Sequence, residues 1–148
     1  MKTALTFLVR LSIILASVFP TLVLAQDKSS SLPPVQTQGQ TEFLTGGIGQ
    51  DEAEAISRAA SSWPLTIELS QAAAPRAEYI SDVQITIKDK SGNIVLDTNA
   101  EGPYVLVKLP PAKYSLDAVY GSKTLHRDIT LQKGRSKRIS LMWPAAPQ

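Results

Sequence analysis

The stretch Leu65-Thr66-Ile67-Glu68-Leu69 decides the fold, because apolar and polar residues alternate in it without a break. The same alternation returns in Val83-Gln84-Ile85-Thr86-Ile87. A period of two places every second side chain on one face of an extended chain, so each stretch is predicted to be a half-buried β-strand. Both strands are expected to turn their apolar faces toward a common core.

Turn residues separate five further apolar segments downstream. The turn signals are clusters of Gly, Pro, Asn and Asp, such as Asp89-Lys90-Ser91-Gly92-Asn93. The segments between the turns are Ile94–Leu96, Tyr104–Leu109, Tyr114–Tyr120, Leu125–Leu131 and Ile139–Trp143. Seven short strands without crossover helices between them predict an all-β fold, a seven-stranded antiparallel Greek-key sandwich.

A glycine-rich turn and one short helix are predicted in residues 46–62, ahead of these strands. The segment Gly46-Gly47-Ile48-Gly49 is followed by an alanine-rich run. Asp51 is predicted to cap the helix, with Glu54 as its capping-box partner three residues on. A helix this short is marginal alone, so Ile56 and the alanines are expected to pack on a larger element.

Residues Met1 to Ala25 have the features of a cleaved secretory signal peptide. A positive start and an uncharged apolar run precede the predicted cleavage site between Ala25 and Gln26. A membrane anchor is the alternative, but the run is shorter than the ~20 apolar residues that span a bilayer, and Pro20 interrupts it. The chain has no cysteine, which excludes a lipoprotein anchor. We therefore expect a periplasmic or secreted protein with no integral membrane span after cleavage.

The remaining boundaries follow from composition. Residues 26–45 are rich in Ser, Gln and Pro, which predicts a disordered linker before the glycine-rich turn. The sandwich domain is predicted to span residues 63–144, followed by a tail at 145–148. Without cysteines the exported fold has no disulfide framework, so it must be stabilised by burial alone.

The charge of the chain argues against nucleic acid as a partner. The full sequence carries a net charge of +2, and Lys2 and Arg10 of the leader account for it. After cleavage the chain is neutral, so it lacks the net positive charge typical of proteins that bind a phosphate backbone.

Three motifs of turns and strands follow one another in the sandwich region. They are Ser91-Gly92-Asn93-Ile94-Val95, Glu101-Gly102-Pro103-Tyr104 and the segment from Leu109 to Leu116. This order resembles the carboxypeptidase regulatory-like domain, a transthyretin-like (prealbumin-like) β-sandwich. With the glycine-rich segment in front, the chain is similar to small exported proteins of Gram-negative bacteria. The resemblance implies a periplasmic domain without a known reaction.

One residue departs from the family pattern. Ala112 stands where the family usually has Gly. If the backbone there needs a positive φ, alanine costs on the order of 1 kcal/mol, which the neighbouring Pro111 offsets by restricting the unfolded chain.

The residue sets of common catalytic sites are missing. His126 is the single histidine, which excludes a two-histidine zinc site. It lies in a predicted strand beside Asp128 without a nucleophile elbow, so a solvated strand histidine is favoured over a Ser-His-Asp set. The glycine-rich segment lacks the Gly-Lys-Ser/Thr ending of a phosphate loop and continues into Asp51 and Glu52, so it is interpreted as a turn.

Two groups of carboxylates are candidate cation sites. Asp51, Glu52 and Glu54 are interpreted as helix-start residues, because carboxylates favour the positive end of a helix. The segment Asp89–Asn93 is interpreted as a hairpin turn, since the closing Glu of a calcium loop is missing. No metal, no cofactor and no enzymatic activity are predicted.

Two surface features are candidates for binding. The basic cluster of Lys133, Arg135, Lys137 and Arg138 is predicted at a hairpin tip, where it can meet anionic glycans, lipopolysaccharide or phospholipid headgroups. Charge at an exposed turn also serves solubility and edge protection. The aromatic residues are the second candidate, as a sugar-stacking platform, although Tyr114 and Trp143 are in phase with core positions. They are Trp63, Tyr79, Tyr104, Tyr114, Tyr120 and Trp143.

Two functional classes remain open. The main hypothesis is a non-catalytic periplasmic binding or structural module that presents loops and a sheet edge to an envelope protein. The alternative is a carbohydrate-binding module of the envelope, and binding to an anionic surface through the basic cluster ranks below both. The expected partner is thus an envelope protein or glycan of unknown identity, and the oligomeric state stays open.

Overall fold

The structure, a computed structural model, describes residues 32–146. The predicted signal peptide, its cleavage site at Ala25 and Gln26, and residues 26–31 of the predicted linker lie outside the described residues. The strands are β1 (Gln36–Gln38), β2 (Thr41–Gly46), β3 (Leu65–Gln71), β4 (Glu78–Tyr79), β5 (Val83–Asp89), β6 (Ile94–Ala100), β7 (Tyr104–Lys108), β8 (Lys113–Tyr120), β9 (Lys123–Thr130) and β10 (Lys137–Trp143). Helix α1 spans Gln50–Ala59, and a 3-10 turn follows at Ala60–Ser62.

The strands form two sheets that share one core. The first sheet has the order β1-β2-β7-β3-β10, and β4 pairs with the end of β3 beyond β7; the second has the order β6-β5-β8-β9. Ile67 and Val105 of the first sheet and Ile85 and Leu116 of the second are fully buried in the same cluster. The predicted all-β sandwich is therefore confirmed at the level of fold class.

The prediction of seven antiparallel strands needs two corrections. All seven predicted strands are present, as β3 and β5 to β10, but the described chain has ten. In addition, β10 runs parallel to β3, with Lys137 opposite Leu65 and Trp143 opposite Gln71. The parallel pair arises because the chain crosses from the second sheet to the first between β9 and β10.

The predicted disordered linker is wrong for residues 36–45, which form strands. β1 pairs with β2, and β2 pairs with β7 from Glu42 opposite Lys108 to Gly46 opposite Tyr104. Phe43 is buried in the core between the sheets. The composition of residues 26–45 gives the wrong prediction for β2, because β2 is stabilised by pairing with β7, far along the chain, and not by its own sequence neighbours.

Helix α1 covers the outer face of the first sheet. A second, smaller core forms between them from Leu44, Ile56, Trp63, Tyr104 and Leu106. Ile56 is fully buried, so the expected packing of the helix on a larger element is confirmed. The domain thus has three layers: the helix, the first sheet and the second sheet.

The helix begins differently from the predicted capping box. Gly49 is the N-cap and no side chain caps the helix, so Asp51 lies inside the first turn. Glu52, and not Glu54, reaches back: the Gly47 N–H donates to Glu52 Oε1 at 2.6 Å. The helix starts two residues earlier than predicted, which moves the carboxylate that reaches back toward the helix start from Glu54 to Glu52.

The loop between β7 and β8, which crosses from the first sheet to the second, accommodates Ala112 without backbone strain. Asp82 is the one non-glycine residue with a positive φ among residues 32–146, so Ala112 keeps an ordinary conformation. Its carbonyl accepts from the Leu131 N–H at 2.9 Å, and the Tyr114 hydroxyl donates to the Pro110 carbonyl at 2.7 Å. The departure from the family pattern therefore carries no conformational cost.

We expect Phe43→Ala to lower the free energy of unfolding by about 3–5 kcal/mol, because the ring lies in the core between the sheets. Val35→Ala is the control, since Val35 precedes β1 and is 52% exposed; its effect should stay within about 0.5 kcal/mol. Urea unfolding followed by circular dichroism measures both. Equal effects would mean that β2 is not part of the core.

Candidate functional site

His126 lies on an exposed part of β9 between two carboxylates. Its Nδ1 is 2.7 Å from Asp117 Oδ1, and its Nε2 is 3.4 Å from Asp128 Oδ1. The hydrogen bond to Asp117 raises the pKa of His126 above its ordinary value. The group is an exposed hydrogen-bonded pair on an open strand, which becomes an ion pair when the imidazole is protonated, in agreement with a solvated strand histidine.

The turn at Asp89–Asn93 is held by hydrogen bonds to the Asp89 carboxylate. Asp89 Oδ1 accepts from the N–H groups of Ser91 at 2.8 Å and Asn93 at 3.0 Å, and Oδ2 accepts from the Asn93 side chain at 3.0 Å. The Asn93 side chain and backbone thereby lower the pKa of Asp89. The carboxylate orders a hairpin turn, as the sequence predicts.

Neither a metal-binding cluster nor a membrane-spanning helix occurs in residues 32–146. In this range no group of three or more His, Asp or Glu side chains is placed to hold a metal ion. The described helix is too short and too polar to cross a membrane.

The glycine-rich segment has a packing role at the end of β2. Gly47 has a φ of +98°, and a side chain there would run into the ring of Tyr104. A side chain on Gly46 would meet the carboxylate of Glu52. These glycines allow the chain to turn tightly from β2 onto the outer face of its own sheet, where α1 then lies.

The structure divides the predicted basic cluster between different faces. The predicted hairpin tip is wrong, because β9 and β10 belong to different sheets; Lys133 and Arg135 are exposed in the loop that joins these strands. Arg138 lies on the outer face of the first sheet, with Nη1 3.7 Å from Glu68 Oε2. Lys137 is partly buried at the start of β10. The alternation of β10 predicts this separation, because consecutive residues of a strand point to opposite faces.

Lys133 and Arg135 share a cleft of about 390 Å³ at one end of the sandwich, which we call the terminal cleft. It lies where the 3-10 turn leads into β3 and where the loops after β7 and β9 meet. No acidic residue lines it. Its lining consists of Ser61, Ser62, Trp63, Pro64, Leu109, Pro111 and residues 131–136.

Most of the aromatic residues considered for sugar stacking are buried. Trp63, Tyr104, Tyr114 and Trp143 are each at most 8% exposed. Tyr120 is partly buried, with its ring centroid 5.9 Å from that of Trp143. Only Tyr79 of the six is exposed, so the aromatic residues do not form a flat platform for sugar rings.

Three exposed apolar side chains follow one another across the first sheet. Ile48 and Tyr79 line a groove of about 570 Å³ beside the start of α1. Tyr79 and Met142 line a second groove of about 660 Å³ over β3, β4 and β10. We call Ile48, Tyr79 and Met142 the apolar strip; they are 67%, 61% and 53% exposed, respectively. The strip ends on β10.

β10 also has an unpaired edge. The Lys137 N–H donates to the Pro64 carbonyl at 2.9 Å, which sets the phase of the parallel pairing with β3. In this phase every second residue from Lys137 turns its backbone groups to β3. Arg138, Ser140 and Met142 therefore turn their N–H and C=O groups to the open side.

The edge strands β1, β6 and β9 carry features that block strand addition. β1 is only three residues long. On β6, the Gln38 side chain donates to the Asp97 carbonyl at 3.1 Å and accepts from the Asp97 N–H at 2.6 Å. β9 carries Lys123, His126, Arg127 and Asp128. Within the described sheets, the second half of β10 thus combines an open edge with uncharged exposed side chains.

Comparisons with known proteins add little to this description. No protein-family model matches the chain, and no curated protein shows a significant match. Among solved structures, GBS52, the minor pilin of the Gram-positive pathogen Streptococcus agalactiae, is 12% identical, with 58% of this chain and 47% of the pilin covered and a TM-score of 0.46. The chain spans about half the length of that pilin, and a likeness this low carries no argument about function.

We expect the pKa of His126 to fall toward its ordinary value near 6.5 in the Asp117→Asn variant, because the variant loses the hydrogen-bonded carboxylate. A raised folded-state pKa means that the pair stabilises the fold below the unfolded pKa, and that this contribution is lost as pH rises through the folded value. NMR titration of the imidazole measures the shift. Asp128→Asn should lower the pKa less, and identical titrations of all three proteins would contradict the assignment.

Proposed function

We propose that this chain is a non-catalytic protein-binding module of the cell envelope, which holds an extended segment of a partner protein along the open edge of β10. One observation carries the proposal. Ser140 and Met142 offer unpaired backbone groups at the same place where the apolar strip reaches the sheet edge.

A partner segment that pairs with β10 continues the first sheet by one strand. Its main chain satisfies the open N–H and C=O groups of Ser140 and Met142, which is β-strand addition. Every second side chain of the segment then points to the outer face of the sheet, beside Met142 at the end of the apolar strip. Burial of apolar area there contributes roughly 25 cal/mol per Å² beyond the main-chain hydrogen bonds.

The surroundings of the strip favour a protein partner. The groove over β3, β4 and β10 also contains Arg76, Glu78 and Glu68. An apolar centre with charged residues of both signs around it is the usual anatomy of a protein interface. At the other end of β10, Lys137 and Arg138 place positive charge beside the edge, so an added segment is expected to be apolar near Met142 and neutral or acidic near Arg138.

We place this function in the periplasm or outside the cell, because residues 1–25 have the sequence features of a signal peptide. Membership of the carboxypeptidase regulatory-like family belongs to the same proposal. It is supported by the two-sheet sandwich, by the hairpin turn at Gly92 and by the loop at Pro110 that joins the two sheets, both of which lie at the positions of the motifs.

The proposal is tested by a photo-crosslinking residue placed at Met142 in cells of the source organism. The matched control is the same residue at Ile94, which is 57% exposed on the β6 edge. We expect a discrete protein adduct from position 142 and none from position 94, with the partner identified by mass spectrometry. Adducts of equal yield from both positions, or none from either, would refute the proposal.

A proline scan of β10 tests the mode of binding. Ser140→Pro removes an outward N–H and should leave the fold intact, because proline is tolerated where an edge strand faces solvent. The adduct from position 142 should fall roughly tenfold, since a main-chain hydrogen bond is lost and the proline ring obstructs the added strand. Ile139→Pro is the control, because its N–H faces β3 and its loss should destabilise the fold by about 3 kcal/mol or more. An undiminished adduct with Ser140→Pro would exclude strand addition.

A further inference from the structure

The walls of the terminal cleft are fixed to each other by one side chain. Ser136 Oγ lies 3.1 Å from the Ala60 carbonyl and 2.8 Å from the Trp63 carbonyl, so the loop before β10 is hydrogen-bonded to the 3-10 turn and to the start of β3. The Leu131 N–H, which donates to the Ala112 carbonyl, joins the same loop to the loop between β7 and β8. The cleft is thus formed in the isolated chain and needs little reorganisation to bind a ligand.

The charge in the cleft has one sign. Lys133 and Arg135 lie two residues apart on a turn in which the Arg135 N–H donates to the Gln132 carbonyl at 3.2 Å. Gly134 between them has a φ of +70°, which completes the tight turn. Neither cation has an acidic neighbour in the lining, so both are available to an anion from solvent. Arg binds carboxylate or phosphate in a bidentate manner, and Lys adds a mobile positive charge.

The rest of the lining divides into an apolar floor and a polar rim. Trp63, Leu109 and Leu131 are buried, and Pro64 and Pro111 contribute further apolar surface. Hydrogen-bonding side chains at the rim come from Ser61, Ser62 and Gln132, which are exposed. An apolar floor with hydroxyl and amide groups above it suits a ring that has apolar C–H surface and hydroxyl groups at its edge.

We infer that the terminal cleft binds an anionic saccharide unit, with its carboxylate or phosphate between Lys133 and Arg135 and its ring over the apolar floor. The cleft volume of about 390 Å³ is at the small end of ligand sites, which indicates one or two sugar rings and not a long chain. The site lies at the start of β10, whereas the apolar strip meets β10 at its end. Its test is therefore independent of the protein-binding function.

The purified full chain, as its cell processes it, is titrated with glucuronate and glucose 6-phosphate and followed by NMR. Glucose serves as the neutral probe, and inorganic phosphate as the anion without a ring. We expect saturable shifts at cleft residues with at least one acidic sugar, and binding roughly tenfold or more weaker for glucose and for phosphate alone. Arg135→Gln should weaken the binding of the acidic sugar by a similar factor.

Arg138→Gln is the matched control, because it removes the same charge three residues away on a side chain that faces Glu68. Its affinity for the acidic sugars should equal that of the unchanged chain. Ser61→Ala tests the contribution of the rim separately from that of the charge. It should weaken the binding of glucuronate without changing the affinity for inorganic phosphate. The inference is overturned if no probe saturates, if inorganic phosphate binds as well as the sugars, or if Arg138→Gln weakens binding as much as Arg135→Gln. Retention on anionic phospholipid vesicles without a response to either acidic sugar would likewise overturn it, in favour of a lipid surface.

Discussion

The burial of β7 on both faces is the constraint on which the rest of the structure depends. Val105 and Val107 face the core between the sheets, while Tyr104 and Leu106 face α1. Exposing either face would cost roughly 1.5–3 kcal/mol for each large apolar side chain, so β7 needs a layer on both sides. The second sheet supplies one layer and the short helix supplies the other. The glycine-rich turn follows from this requirement, because the chain must fold back from the end of β2 onto the outer face of the same sheet.

The first sheet is the middle layer of the domain, but its outermost strand still has an open edge. Such an edge can pair with another chain unless it is blocked. The Gln38 amide bonds to both backbone groups of Asp97, so a side chain of the first sheet occupies the place of a strand beside the second. β10 lacks an equivalent partner at Ser140. Its parallel pairing with β3 is a consequence of the late crossover between sheets, and this crossover leaves the last strand at the margin of the first sheet. The open edge is thus a product of the topology and not of a local sequence signal.

Prediction from sequence succeeds for strands with one polar face and fails for a strand that is buried on both faces. Alternation reveals β3 and β5 because one face of each carries polar residues, and turn chemistry reveals the β8–β9 hairpin at Gly121. β2 has almost no exposed face, so it shows no alternation, and its composition predicts a linker. The basic residues near β10 are visible in the sequence, and the period of two places Arg138 and Lys137 on opposite faces of the strand. The terminal cleft was not predictable, because Ser61, Pro111 and Lys133 come together only through the packing of distant loops.

The terminal cleft and the apolar strip lie at opposite ends of β10. The hydrogen bonds of β10 determine whether the distance between them can change. β10 is hydrogen-bonded to β3 over its whole length, from the Lys137 N–H to the Trp143 carbonyl, which accepts from Ala72 at 2.8 Å. Ser136 fixes the end at the cleft, and the indole of Trp143 donates to the Lys123 carbonyl at 3.2 Å near the other end. A strand anchored at both ends and along its length cannot slide or tilt without breaking several hydrogen bonds at once. The hydrogen bonds of β10 therefore hold the cleft and the apolar strip at a fixed distance from each other.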